Sequence, residues 1–234
     1  MAVINGLLGA GGTVLVPTFS WDDYLVRPPL ALRRLRNAPP DDYVNEPPVT
    51  APIYSPASNL VDKGMGLIPA TVLRRPHRVR GNHPLCSFTA VGPLAETLIA
   101  EQAPLDMYAP LRALASHRGS VILMGVGLEH CTLLHYAEKL AGRNPFRRWA
   151  VHPEGHVIEV ETGGCSDGFP NLAPVLAPVT RKVCVGQSEW VVLPAHETLT
   201  ATAAAIRANP MITHCNRPAC GRCRDAVQGG PILE

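Results

Sequence analysis

Ser120-Val121-Ile122-Leu123-Met124-Gly125-Val126-Gly127-Leu128-Glu129-His130-Cys131-Thr132-Leu133-Leu134-His135-Tyr136-Ala137-Glu138 decides the fold. An apolar run of strand length reaches a glycine turn at Gly125 to Gly127, and the chain then enters a helix. Strand, turn and helix make the repeating unit of α/β proteins, which place reactive groups where such strands end. Thr132 is the expected N-cap, so His135 falls in the first turn, close to the positive end of the helix dipole. That end disfavours an imidazolium. His135 is therefore expected as a neutral imidazole able to accept a proton, a candidate general base. The plainer reading is a buried histidine that packs or caps.

Upstream, Gly9 to Gly12 leads into Thr13-Val14-Leu15-Val16-Pro17, an apolar run expected to be buried on both faces. From Trp21 to about Leu60 the composition shifts to proline, arginine and aspartate, with Pro28-Pro29, Pro39-Pro40 and Pro47-Pro48, and reads as a long surface loop. Periodicity predicts helices over 60–73, 95–101, 111–116 and 196–208, and strands over 87–91, 149–151, 156–161 and 191–194, with a turn-rich stretch over 74–83. The alternation gives an α/β class, a mixed α+β sandwich: a central mixed sheet flanked by helices, with a Cys-rich C-terminal tail over 211–227. One domain over residues 1–234 suffices.

A chain of 234 residues builds a core without disulfide staples. Its formal charge of +2 and pI near 8.2 are too mild for a nucleic-acid partner. The one basic run, Arg74, Arg75, His77, Arg78 and Arg80, reads as a solvated loop or as a holder for a phosphate-bearing cofactor. No membrane span is expected, and Met1 to Ser20 reads as helix end, glycine turn and strand rather than a signal peptide. Seven cysteines, an odd number with three in one C-terminal segment, point to a reducing cytoplasm. No heptad or symmetric pattern speaks to oligomeric state.

Three further groups carry candidate chemistry. Glu161 ends the strand expected over 156–161, where a carboxylate can hold an imidazole; the alternative is a solvated strand end. Asp22 and Asp23 follow the first strand and suit a cationic ligand or a loop cap. In the tail, His214-Cys215-Asn216-Arg217-Pro218-Ala219-Cys220-Gly221-Arg222-Cys223 holds Cys-x2-Cys, which lets two thiolates reach one tetrahedral ion. His214, Cys215 and Cys165 compete for the remaining zinc positions. Reduced thiols packing the tail are the alternative. A Cys131 nucleophile working with His135 is disfavoured, since Cys131 is expected ahead of the helix.

Gly12-Thr13, Val16-Pro17-Thr18-Phe19-Ser20, Met65-Gly66-Leu67-Ile68-Pro69, Arg80 with His83-Pro84 and Ser87, Gly92-Pro93, Gly125-Val126-Gly127 and Thr132-Leu133-Leu134-His135-Tyr136-Ala137-Glu138 occur in one order. In that order and approximate spacing the chain resembles the aminoglycoside N3-acetyltransferases, and its His214 with Cys220 and Cys223 resembles the end of the apramycin- and gentamicin-acetylating branch.

The resemblance implies an acetyl-CoA-dependent N-acetyltransferase acting by direct attack in a ternary complex. It implies His135 as general base supported by Glu161, and Asp22, Asp23 and Glu138 facing a polycationic aminoglycoside. Thr18, Ser20, Arg80, His83 and Ser87 would lie by the CoA. The partners are then small molecules. Gly81 departs from the serine often found at its place. Relatives also carry further residues ahead of the counterpart of Val3, so this chain is expected to lack one wall of the CoA site. Acylation of another amine, and a non-catalytic ligand-binding protein of the same fold, stand as alternatives.

Overall fold

Val14-Leu15-Val16-Pro17 forms strand β1, antiparallel to β3 (Phe88–Val91), with Val14 opposite Val91 and Pro17 opposite Phe88. Proline sits without loss here because β1 is an edge strand in the order β1-β3-β2, with β2 at Val79–Arg80. The computed structural model describes residues 9, 11–28, 48–143 and 146–227. The expectations for residues 1–8 and for the loop over 29–47 fall outside the described residues.

The described residues divide into two compact units. The first gathers those over 9–28, 48–113 and 147–162; the second gathers those over 114–143, 146 and 163–227.

In the first unit α1 (Trp21–Tyr24), α2 (Leu67–Leu73) and α3 (Ala95–Ile99) accompany the β1-β3-β2 sheet, and α4 (Ala109–Ser116) begins. Val72, Leu73, Leu85, Phe88, Ala90, Leu98 and Ile99 form its buried apolar core. Most of β5 (Phe146–Val151) belongs here and pairs with β6 (Val157–Thr162). Gln102 braces the centre. Its side-chain oxygen accepts from Phe88 N–H (2.9 Å), and its amide donates to the carbonyls of Cys86 (3.0 Å) and Met107 (2.8 Å). A Cβ on Gly81 would fall 1.8 Å from that side-chain oxygen, which explains glycine where the resemblance leads one to expect serine.

In the second unit β4 (Ser120–Met124) has the bounds read from the sequence. It pairs antiparallel with β8 (Ser188–Pro194), which also pairs with β7 (Arg181–Val185) across a turn at Gly186, φ +60°. Helices α5 (Thr132–Leu140) and α7 (Ala195–Ala208) pack together, each burying an apolar face; α6 (Ala173–Leu176) and α8 (Gly221–Val227) complete the unit.

The α/β class stands, but among the described residues the sheet is three small sheets rather than one central mixed sheet. Thr132 is the first helical residue, not the N-cap; that position is held by Cys131, with extended φ and ψ and no side-chain capping bond. The strands over 149–151 and 191–194 extend three residues further upstream than expected, to Phe146 and Ser188, where Arg147, Arg148, Ser188 and Glu189 interrupt the apolar pattern. No helix among the described residues is long and apolar enough to cross a membrane.

Candidate active site

The helix α5 buries Leu133, Leu134, Tyr136 and Ala137, which turns His135 and Glu138 together to its other face. Their side chains are only 11% and 12% exposed. Glu138 Oε2 lies 2.8 Å from His135 Nδ1, while Oε1 accepts from Arg143 (2.5 Å) and from the Thr213 hydroxyl (3.0 Å). Arg143 also donates to Thr213 Oγ1 and to the carbonyl of Pro210. Both oxygens of Glu138 are therefore engaged. Glu138, expected to face an aminoglycoside, also holds the imidazole of the same helix.

With Nδ1 occupied, His135 has Nε2 left to accept a proton. The ring rests on Phe169, 4.7 Å between centroids at 60°. A Cβ on Gly163 would fall 2.8 Å from its Cδ2 and 3.1 Å from its Nε2, so the bare backbone there permits the imidazole's position. Cys131 is buried and its thiol is pushed up to about 12 by desolvation, which removes it as a nucleophile.

Glu161 belongs to the first unit and is 1% exposed, so it is not a solvated strand end. Its backbone is fixed on both sides: its N–H donates to the Pro104 carbonyl (2.7 Å) and its carbonyl accepts from His83 Nε2 (2.8 Å). His83 Nδ1 in turn accepts from the N–H groups of Cys86 (2.8 Å) and Leu85 (3.3 Å). Fully buried, His83 is held neutral, its pKa lowered to about 4 chiefly by desolvation.

The residues expected beside CoA come together, but their polar groups serve each other. Arg80 is 4% exposed. Its guanidinium donates to Ser87 Oγ (2.9 Å), the Ser58 carbonyl (2.9 Å), the Thr18 carbonyl (2.8 Å) and Ser20 Oγ (3.3 Å), and stacks 5.3 Å from the centre of the Tyr54 ring. Thr18 Oγ1 lies 3.2 Å from Ser87 Oγ and 2.8 Å from Thr89 Oγ1, and Ser20 Oγ donates to the Pro84 carbonyl (2.9 Å). Thr18, Ser20, His83 and Ser87 are fully buried. In this arrangement they brace the backbone around Thr18, Ser58 and Pro84. The basic run is likewise not one solvated face, since Arg78 caps the carbonyls of Pro56, Ala57 and Ser58.

Asp22 and Asp23 lie in the short helix α1, Asp22 exposed and Asp23 half-buried. Asp62 joins them. Its two oxygens accept from the N–H groups of Trp21 (2.9 Å) and Asp22 (3.0 Å), capping a helix start that no neighbour in sequence caps. Its carboxyl is raised above the ordinary range, by burial first and by Asp22 and Asp23 last.

In the second unit the thiols of Cys165, Cys215, Cys220 and Cys223 lie within 4.8 Å of one another. His214 is outside this group, its Nδ1 2.8 Å from the Cys215 carbonyl oxygen. The Cys165 thiol is pushed down to about 5, mainly by a hydrogen bond with Cys223, whose own thiol is pushed up by the same contact. A tetrahedral zinc with Zn–S near 2.3 Å needs sulfurs roughly 3.8 Å apart, so four converging thiols fit that ion after small side-chain rotations. A cavity lined by Glu138, Arg143, Thr213, Cys165 and Cys223 joins this cluster to the carboxylate behind His135.

The family model described as aminoglycoside 3-N-acetyltransferase matches residues 1–205. The chain belongs to this family. Aminoglycoside N(3)-acetyltransferase IX of Micromonospora chalcea is 36% identical over 152 residues, 59% of this chain and 49% of that protein. Aminoglycoside N(3)-acetyltransferase VII of Streptomyces paromomycinus is 31% identical over 171 residues, 69% of this chain and 54% of that protein. The chain thus spans about half the length of the curated relatives it matches. The crystal structure of the aminoglycoside acetyltransferase AAC(3)-IVa in complex with a gentamicin superposes with a TM-score of 0.74 at 22% identity, covering 97% of this chain and 82% of that one. At that identity the likeness establishes the fold.

Three residues of this aminoglycoside 3-N-acetyltransferase family member gave no signal in the sequence. Tyr54 and Asp62 lie in or beside a proline-rich stretch with no period to read. Thr213 has no motif around it, and its contact with Glu138 spans 75 residues of chain.

Proposed function

We propose that the chain transfers an acetyl group from acetyl-CoA to the 3-amino group of a 2-deoxystreptamine aminoglycoside, the modification that confers resistance. The observation that carries this reading is the His135 imidazole held at Nδ1 by Glu138 2.8 Å away. The amine nitrogen attacks the thioester carbonyl carbon, and its proton passes to His135 Nε2. Collapse of the tetrahedral intermediate breaks the carbon–sulfur bond, and the coenzyme A thiolate takes up a proton as it leaves. Glu138 keeps the ring in the tautomer whose Nε2 is unprotonated and balances the imidazolium that forms.

Of the expected catalytic pair, His135 carries the proposal, and Glu138 takes the imidazole-holding role first expected of Glu161. Asp22, Asp23 and Asp62 supply acidic surface suited to a polyammonium acceptor. Thr18, Ser20, Arg80, His83 and Ser87 act on the cosubstrate by fixing the backbone of its segment. The four thiols hold a structural zinc, which keeps Thr213 against Glu138. The reading is supported by family membership and by the ligands of neighbouring structures, a gentamicin in one and CoASH in another.

The test is calorimetric binding of acetyl-CoA by the purified chain, followed by thiol release on adding gentamicin or apramycin. Release that needs both cosubstrate and aminoglycoside is the expected result. A folded protein that binds acetyl-CoA yet releases no thiol with any aminoglycoside would overturn the acceptor assignment.

A further inference from the structure

The hairpin joining β5 to β6 in the first unit reads His152-Pro153-Glu154-Gly155-His156. Its tip is rigidly specified. Pro153 presets φ at the first central position, Gly155 takes the left-handed φ of +87°, and Gly155 N–H donates back to the His152 carbonyl at 2.8 Å. His152 N–H donates to the His156 carbonyl at 2.8 Å, so the two histidines close the ladder directly opposite each other and project from one face. Their rings lie 4.6 Å apart at 30°. The chain then carries the Glu154 carboxylate back over both: Oε2 is 3.7 Å from His152 Nδ1 and 3.9 Å from His156 Nδ1.

We infer that this hairpin tip is a binding site for a first-row divalent cation of the zinc, nickel and copper group, held by His152, Glu154 and His156. One donor atom from each residue already lies within 4.8 Å of the others, close to the spacing of ligands around such an ion. Glu154 N–H donates to His152 Nδ1 at 3.2 Å, a single long hydrogen bond that holds this ring against the turn and that the ion displaces when it takes the nitrogen lone pair. Two imidazoles and one carboxylate suit zinc, nickel or copper rather than magnesium or calcium, which prefer oxygen ligands. The backbone turn brings the three side chains together before the ion arrives, and the exposed side of the tip leaves its remaining positions to water. The site is independent of the proposed acetyl transfer, and none of its residues belongs to the four-thiol cluster.

The test uses the tag-free full chain, saturated with zinc and desalted, titrated with Ni2+ by calorimetry beside the His152→Gln/His156→Gln double variant and Glu154→Gln. The wild type should take up one Ni2+ per chain more than the double variant, and Glu154→Gln should bind that ion about tenfold more weakly or worse. In thermal melts, Ni2+ should raise the midpoint of the wild type and leave that of the double variant where it was. All three proteins share the same thiols, so uptake at the cysteine cluster cancels in the comparison. Equal Ni2+ uptake by wild type and double variant, with no difference in the thermal response, would overturn the proposal.

Discussion

Glu138 stands three residues beyond His135 on one helix and holds the imidazole through a 2.8 Å contact to Nδ1, while its second oxygen binds Arg143 and Thr213. This arrangement joins the helix to Arg143 just beyond it and to Thr213 of the tail. Glu138→Gln places an amide where the imidazole needs an acceptor. Turnover should fall by about 10²- to 10⁴-fold while acetyl-CoA affinity is unchanged, measured as kcat beside calorimetric binding. The same change leaves the Arg143 guanidinium, 8% exposed, without its carboxylate, and should cost roughly 3 kcal/mol of stability. A variant with wild-type kcat would remove Glu138 from the mechanism.

The thiol cluster ties the tail to that same carboxylate, because Thr213 lies two residues ahead of Cys215. Metal analysis of the His152→Gln/His156→Gln double variant, which keeps only the thiol cluster, should find about one zinc per chain, the capacity of one four-thiolate site. Cys220→Ser with Cys223→Ser should lose the zinc, lower the thermal midpoint and reduce kcat. Loss of metal with no change in either property would separate the tail from the site.

His83 gives acid sensitivity a location. In the unfolded chain it takes a proton near its ordinary pKa of about 6.5, but the fold holds it neutral down to about 4. The unfolded state thus binds more protons across that window, and stability falls as pH drops through it. The contribution is about 3 kcal/mol in total. Denaturant midpoints measured from pH 7 to pH 4 should fall more steeply for the wild type than for His83→Gln, which has no group to titrate. Parallel curves would contradict the buried neutral state.

Gly81 is required by packing. Gly81→Ala drives a Cβ into Gln102, whose three backbone bonds would have to be broken to make room. Chemical denaturation should show a loss of roughly 2–3 kcal/mol, from buried groups left unsatisfied.

What the sequence disclosed follows from the range of the forces involved. Ser120–Met124 was legible to the residue, because an apolar run stopped by Gly125 is a local signal. His135 was legible for the same reason. Strand β7 was not, since Arg181-Lys182-Val183-Cys184-Val185 is an exposed edge with no buried face to impose a period. The role of Arg80 was hidden among surface-looking arginines, because its partners at Thr18, Ser58 and Ser87 are set by the sheet and not by neighbours in the chain. Cys165 could be named as one candidate among several, but its place beside the three tail thiols depends on the path of the backbone between residues 165 and 215.

The most direct measurement of the central claim compares the wild type with His135→Ala, in acetyl-CoA binding by calorimetry and in gentamicin-dependent thiol release. The variant should keep the acetyl-CoA affinity of the wild type while its turnover falls to background. Comparable turnover in both proteins would contradict His135 as the base.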